Sequence, residues 1–163
     1  MLKLAKAAHQ LHRLVKAGEF RLAKEIADHL RSLIAEDRLH GQYLPLSTEP
    51  GSEKLCRIFA RGVQFIRDDL VSVFEQAIAY FLFGTLQQFY FDGNKRTARY
   101  MMNGHLMSHG FDAISVPAAR RQVFNTSMAE FCLTKDGTGM FRPSSLRAAK
   151  QLTRVFSPAA PTK

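Results

Sequence analysis

Nine residues in the middle of the chain, Phe91-Asp92-Gly93-Asn94-Lys95-Arg96-Thr97-Ala98-Arg99, concentrate the chemistry of the sequence. They supply one carboxylate, one glycine, one amide and three cations, at a joint between two apolar helical patterns. The first turn of a helix leaves backbone N–H groups without intrahelical acceptors, and the helix dipole adds partial positive charge there. Gly93 lets the main chain approach a ligand and take positive φ. Asn94 can donate and accept, Lys95 adds a point charge, and Arg96 offers a planar fork suited to phosphate oxygens. Asp92, the lone carboxylate, has the character of a magnesium ligand. Together these residues fit a polyphosphate held with a divalent ion. A polar interhelical turn with ordinary Asp or Asn capping is the plainer reading of 92–96. A G-x-x-x-x-G-K-[ST] phosphate loop is absent.

The elements that must position this joint are helical. Leu2, Leu4, Ala5, Ala8, Leu11, Leu14 and Val15 recur at helical spacing and Gly18 ends the run. A second pattern runs from Phe20 through Leu22, Ala23, Ile26, Leu30 and Leu33 to Ile34. Residues 41–52, with Pro45, Pro50 and Gly51, read as a loop that could carry a short β-hairpin. Leu55, Ile58, Phe59, Val63 and Ile66 give a third helix. Asp68 or Asp69 is expected to cap a fourth, which is apolar on most sides from Ile78 to Phe83 and therefore central. Arg96–His109 reads as the helix leaving the joint, with Met101, Met102, Leu106 and Met107 as core and Gly110 as its stop. Residues 111–116 are extended. Residues 118–133 form another helix with Val123, Phe124, Met128 and Phe131 inward. Residues 144–156 read as a last polar helix, followed by a disordered-looking tail. The fold class is all-α, divided as 1–52 (N-terminal helices and loop), 53–143 (core) and 144–163 (C-terminal helix and tail).

With 163 residues, 46% of them hydrophobic, the chain can build a real core, and 13 Phe with no Trp predict one filled by benzyl groups. The formal net charge of +9 favours polyanions: nucleotide phosphates, nucleic acid or an anionic membrane surface. The cations are spread along the chain and form no basic tail, which disfavours nucleic acid without removing it. Cys56 and Cys132 have neither metal-ligand nor disulfide spacing, so reduced thiols in a cytoplasmic protein are expected. No apolar run reaches the ~20 residues of a membrane span. His9 and His12 lack a third metal ligand and read as a surface pair. His105 and His109 read as solvated or hydrogen-bonded helix histidines. Tyr90 and Phe91 read as core, with an adenine-facing role open to one of them.

The stretch Gln88-Phe89-Tyr90-Phe91-Asp92-Gly93-Asn94-Lys95-Arg96-Thr97-Ala98-Arg99 resembles the motif of the Fic/Doc family, His-Pro-Phe-x-(Asp or Glu)-Gly-Asn-(Gly or Lys)-Arg-x-x-Arg. Met102-Asn103-Gly104 and Ser115 to Phe131 are also similar to that family, and the likeness covers roughly residues 55–142. It implies a Fic-like helical bundle with the motif between two central helices and a short hairpin flap, placed in 41–52, that clamps a target segment. It implies transfer of AMP from ATP to a Ser, Thr or Tyr hydroxyl of a target protein, with Mg²⁺; phosphoryl transfer is the activity of the Doc branch. Asp92 would hold the metal ion. Gly93, Asn94 and Lys95 would form an anion nest of backbone N–H groups. Arg96 would bind phosphate oxygens as charge develops, and Arg99 the terminal phosphate or an inhibitory carboxylate. The family's catalytic His falls at Gln88, and glutamine is no base near neutral pH. A positioned base contributes 10²–10⁴-fold, roughly 3–5 kcal/mol of barrier. Phe89 for Pro and Tyr90 for Phe are further departures. Ser32-Leu33-Ile34-Ala35-Glu36-Asp37 resembles the family's inhibitory helix except at its last position. The resemblance thus predicts slow AMP transfer or, alternatively, a catalytically silent nucleotide-binding or protein-interaction module. It leaves an inhibitory partner and a homodimer open.

Overall fold

The computed structural model describes residues 2–34, 53–90 and 92–141. Every regular element among them is helical, so the all-α class holds. The hairpin expected in 41–52, the helix expected at 144–156 and the tail lie outside the described residues, as do Ala35, Glu36 and Asp37 of the inhibitory string.

Two compact units divide the chain, residues 1–109 and 110–163. The first holds α1 (Leu2–Lys16), α2 (Lys24–Ile34), α3 (Glu53–Asp69), α4 (Val73–Gln87) and α5 (Asn94–Ser108). Packing is densest between α4 and α5, with α1 and α2 laid against α5 and α3 against α4. The N-terminal helices therefore belong to the same packed body as the motif helices.

Helix α4 is the centre of this unit: Ala77, Ile78, Tyr80, Phe81, Leu82, Gly84 and Thr85 are all buried. Such all-round burial explains why its apolar residues follow no single stripe. Gly84 sits where α4 meets α5; a Cβ built there would stand 3.0 Å from the Ala98 Cβ. Met101, Met102 and Leu106 of α5 are buried, as expected, and Met107 is half-buried. The benzyl-rich core is also present. Phe59 and Phe83 each lie 5.2 Å from the Phe89 ring in edge-on geometry, and Tyr80 meets Phe59 edge-on at 6.3 Å.

Three local expectations change. Phe20 does not open α2, which begins at Lys24. The ring instead folds inward over α5, within 2.3 Å of where a Gly104 Cβ would stand; a turn residue docked on a glycine mimics helical spacing. Neither Asp68 nor Asp69 caps α4. Both close α3, with Asp68 paired to Arg67 at 2.7 Å, and Ser72 is the cap, its Oγ accepting from the Glu75 N–H at 3.5 Å. Helix α5 starts two residues earlier than expected, at Asn94, with Gly93 as N-cap.

The second unit contains the irregular segment 111–117, a 3-10 turn at Ala118–Arg120, α6 (Arg121–Thr134) and a 3-10 turn at Thr138–Phe141. Phe124, Met128 and Phe131 of α6 are buried as expected, whereas Val123 is 49% exposed and faces out.

Candidate functional site

The joint between α4 and α5 is a sharp, heavily braced turn. Gln88 ends α4 in the left-handed region (φ 50°, ψ 56°), unusual for a residue with a Cβ. Phe89 then turns into the aromatic core. Gly93 enters α5 with φ 85°, a conformation that glycine takes at no steric cost.

The side chain of Asn94 staples this turn. It is buried, 7% exposed, and its Oδ1 accepts from the Tyr90 N–H at 2.8 Å. Its Nδ2 donates to the Tyr90 carbonyl and to Gln88 Oε1, the latter at 3.2 Å. The Gln88 Nε2 in turn donates to the Thr85 carbonyl. Both carboxamides are thus committed to the turn. Asn94 brings a ligand its backbone N–H, not its side-chain donors.

These constraints leave a concavity of ≈ 370 Å³ at the mouth of α5, lined by Gln88, Asp92, Gly93, Asn94, Lys95 and Arg96. Six of the seven residues singled out from the sequence come together there. Arg99, the seventh, is exposed one turn further along α5 and does not line the concavity. Asp92 and Arg96 face each other across one helical turn at 2.8 Å, with Asp92 62% and Arg96 45% exposed. Partial burial pushes the Asp92 carboxyl up, but hydrogen bonds from Arg96 and the Gly93 amide, with the charges of Arg96 and Arg31, outweigh it and hold the group below its ordinary value. It is therefore ionised at neutral pH. Lys95 is exposed beside it.

The residues fit magnesium only as a shared ligand. Asp92 is the single carboxylate of the concavity, and no cluster of three His, Cys, Asp or Glu exists among the described residues. Mg²⁺ is commonly held by one or two carboxylates, with phosphate oxygens and water completing its octahedron. One carboxylate could meet that need only where a ligand brings phosphate oxygens of its own.

A second set of residues was not anticipated from the sequence. The Tyr90 hydroxyl donates to Asp28 Oδ1 of α2 at 2.8 Å, and Lys24 pairs with the other oxygen of Asp28 at 2.6 Å. The Arg31 guanidinium lies 5.7 Å from the centre of the Tyr90 ring. Burial, then the Asp28 acceptor and its charge, push the Tyr90 hydroxyl far up, so it stays a donor. These residues rim a smaller concavity of ≈ 190 Å³ floored by Leu55, Phe59 and Phe89. One sequence signal could have pointed there: a tyrosine beside a core position carries a hydroxyl that needs a partner when buried.

Away from the joint, His105 is buried and its Nε2 lies 2.9 Å from the Gln76 Oε1, with the His109 ring 4.5 Å away. This matches a hydrogen-bonded helix histidine and offers no base to the joint. No protein-family model, curated protein or solved structure matches the chain.

Proposed function

We propose that the concavity at the head of α5 binds the phosphate chain of ATP with Mg²⁺, and that the protein transfers AMP slowly to a Ser, Thr or Tyr hydroxyl of a target protein in the cytoplasm. The observation that carries this reading is the convergence of Asp92, Gly93, Asn94, Lys95 and Arg96 on one concavity of ≈ 370 Å³ at a helix N-terminus. Here the first-turn N–H groups and two cations serve the phosphate oxygens. Asp92 would share the metal with the nucleotide, and the bound ion would neutralise phosphate charge. On ligand binding Arg96 exchanges its partner, an exposed carboxylate, for phosphate. That exchange costs little, because exposed pairs are worth ~0–1 kcal/mol.

In the transfer step the target hydroxyl oxygen bonds to the α-phosphorus, the bond to the bridging oxygen breaks, and pyrophosphate leaves. The hydroxyl proton goes to water, because Gln88 cannot take it. The resemblance to the Fic/Doc motif supplies this reaction type; the geometry alone supports phosphate binding. The second reading, a silent nucleotide-binding module, is favoured by one feature: the Gln88 amide is tied to Thr85 and Asn94.

Calorimetry with ATP and Mg²⁺ tests the binding. Label transferred from ATP to lysate proteins tests the reaction. Gln88→His should raise transfer by about 10²-fold or more if the missing base alone limits it. Binding without transfer in either protein would leave the silent module, and no ATP binding would end both readings.

A further inference from the structure

The geometry points to Asp28 as a positioning residue for the phosphate notch, holding the end of α4 and Tyr90 in register on α2 through the Tyr90 hydroxyl. Tyr90 is the residue to which the Asn94 side chain attaches twice, at its N–H and at its carbonyl. Asn94 is also the first residue of α5. A continuous set of bonds therefore runs from α2 through Asp28, the Tyr90 hydroxyl, the Tyr90 main chain and Asn94 to the turn bearing Asp92 and Arg96.

Residues 24, 28 and 31 follow i, i+4, i+7 spacing, so one face of α2 supplies the whole grip. Lys24 holds the far oxygen of Asp28, and Arg31 covers the Tyr90 ring. Packing alone would be served by phenylalanine at position 90. The hydroxyl adds a directional bond between groups 62 residues apart, and its acceptor is a carboxylate group paired with Lys24 on its other oxygen, a class of partner that makes stronger bonds than neutral acceptors.

The consequence for the notch is preorganisation. Its donors are main-chain groups whose directions depend on the turn, and a turn free to move must be ordered again each time an anion binds. The ligand in this inference rests on the proposed function; the grip itself does not and can be read without nucleotide.

The test is amide hydrogen exchange on the full chain, followed by ATP–Mg²⁺ calorimetry. Tyr90→Phe and Asp28→Ala should each speed exchange of the residue-90 amide about tenfold, the equilibrium weight of one such bond, while the amides of α3 keep their rates. Asp28→Asn, whose amide oxygen still accepts from the hydroxyl but which gives up the charge and the Lys24 pair, should fall between wild type and Asp28→Ala. An unchanged residue-90 amide in both Tyr90→Phe and Asp28→Ala, or equal acceleration throughout α3, overturns the grip. ATP affinity should fall in Tyr90→Phe by the factor by which the ordered fraction of the turn falls, as read from the same exchange rates. If wild type binds ATP and the variant binds it equally well despite a freed amide, the positioning role is wrong. If wild type binds no ATP, the proposed function fails, and exchange still decides whether Asp28 holds the turn.

Discussion

Replacing Asn94 with alanine should unfold the site's support before it touches the chemistry. The side chain makes three hydrogen bonds, to the Tyr90 N–H, the Tyr90 carbonyl and Gln88 Oε1. A typical protein hydrogen bond contributes about 1 kcal/mol net, and an abandoned buried partner costs about 1–3 kcal/mol. Three such bonds give roughly 3 kcal/mol. Tyr90 is only half-buried and Gln88 is exposed, so water recovers part of that, leaving an expected loss of about 2 kcal/mol. With a urea slope near 2 kcal/mol per molar, the midpoint should fall by about 1 M. All four tyrosines lie within residues 1–109 and the chain has no Trp, so tyrosine fluorescence reports on the unit that holds the turn. Asn94→Asp keeps the acceptor for the Tyr90 N–H but loses both donors, and should fall between wild type and alanine. A loss below about 0.5 kcal/mol in Asn94→Ala would mean the staple is not needed, and with it the account of how the turn is held.

Asp92→Asn should leave stability within about 0.5 kcal/mol, because its pair with Arg96 is exposed, yet should weaken ATP binding specifically in the presence of Mg²⁺; calorimetry with and without the metal separates the two effects. Gly84→Val should cost about 2–3 kcal/mol in thermal or urea unfolding, since the Cβ alone already crowds Ala98, and Ala98→Gly in the same chain should return part of it. His105 should impose an acid limit. Burial first, then the neighbouring His109, lower it to about 4 in the folded chain, whereas the unfolded histidine titrates near 6.5. The stability it contributes is present above about 6.5 and is lost as pH falls toward about 4, in total about 2–3 kcal/mol. His105→Gln should flatten that slope in stability measured across the window.

The fold class and the joint were legible because their signals are local. The apolar run of Ile78–Phe83 announces a buried helix, and Asp92-Gly93-Asn94-Lys95-Arg96 is a contiguous string whose residues need only one turn to converge. Misreadings arose where tertiary packing overrode local pattern. Phe20 has helical spacing yet docks from a turn, and two acids at 68–69 look like caps but Ser72, with its hydroxyl, holds the position. Arg99 has the spacing of a ligand on paper but does not reach the concavity lining. The Tyr90 hydroxyl signalled the need for a partner, but nothing local named Asp28, because it lies 62 residues away and only the packing of α2 brings the two together.

Gln88 joins these threads. Its position in the left-handed region is costly for a residue with a Cβ, of order 1–3 kcal/mol, and must be held by its surroundings. Its carboxamide provides that hold, accepting from Asn94 and donating to Thr85. A histidine there also tolerates positive φ better than most residues, but a ring that donates to a carbonyl with one nitrogen has only the other left for a substrate proton. Glutamine spends both ends of its amide on the turn. On the proposed reading, the same exchange that removes the base therefore strengthens the scaffold around the phosphates. Binding and transfer should come apart in this chain: nucleotide affinity should depend on Gln88, Asn94 and Tyr90 as bracing, and turnover on a proton acceptor that the turn itself does not supply.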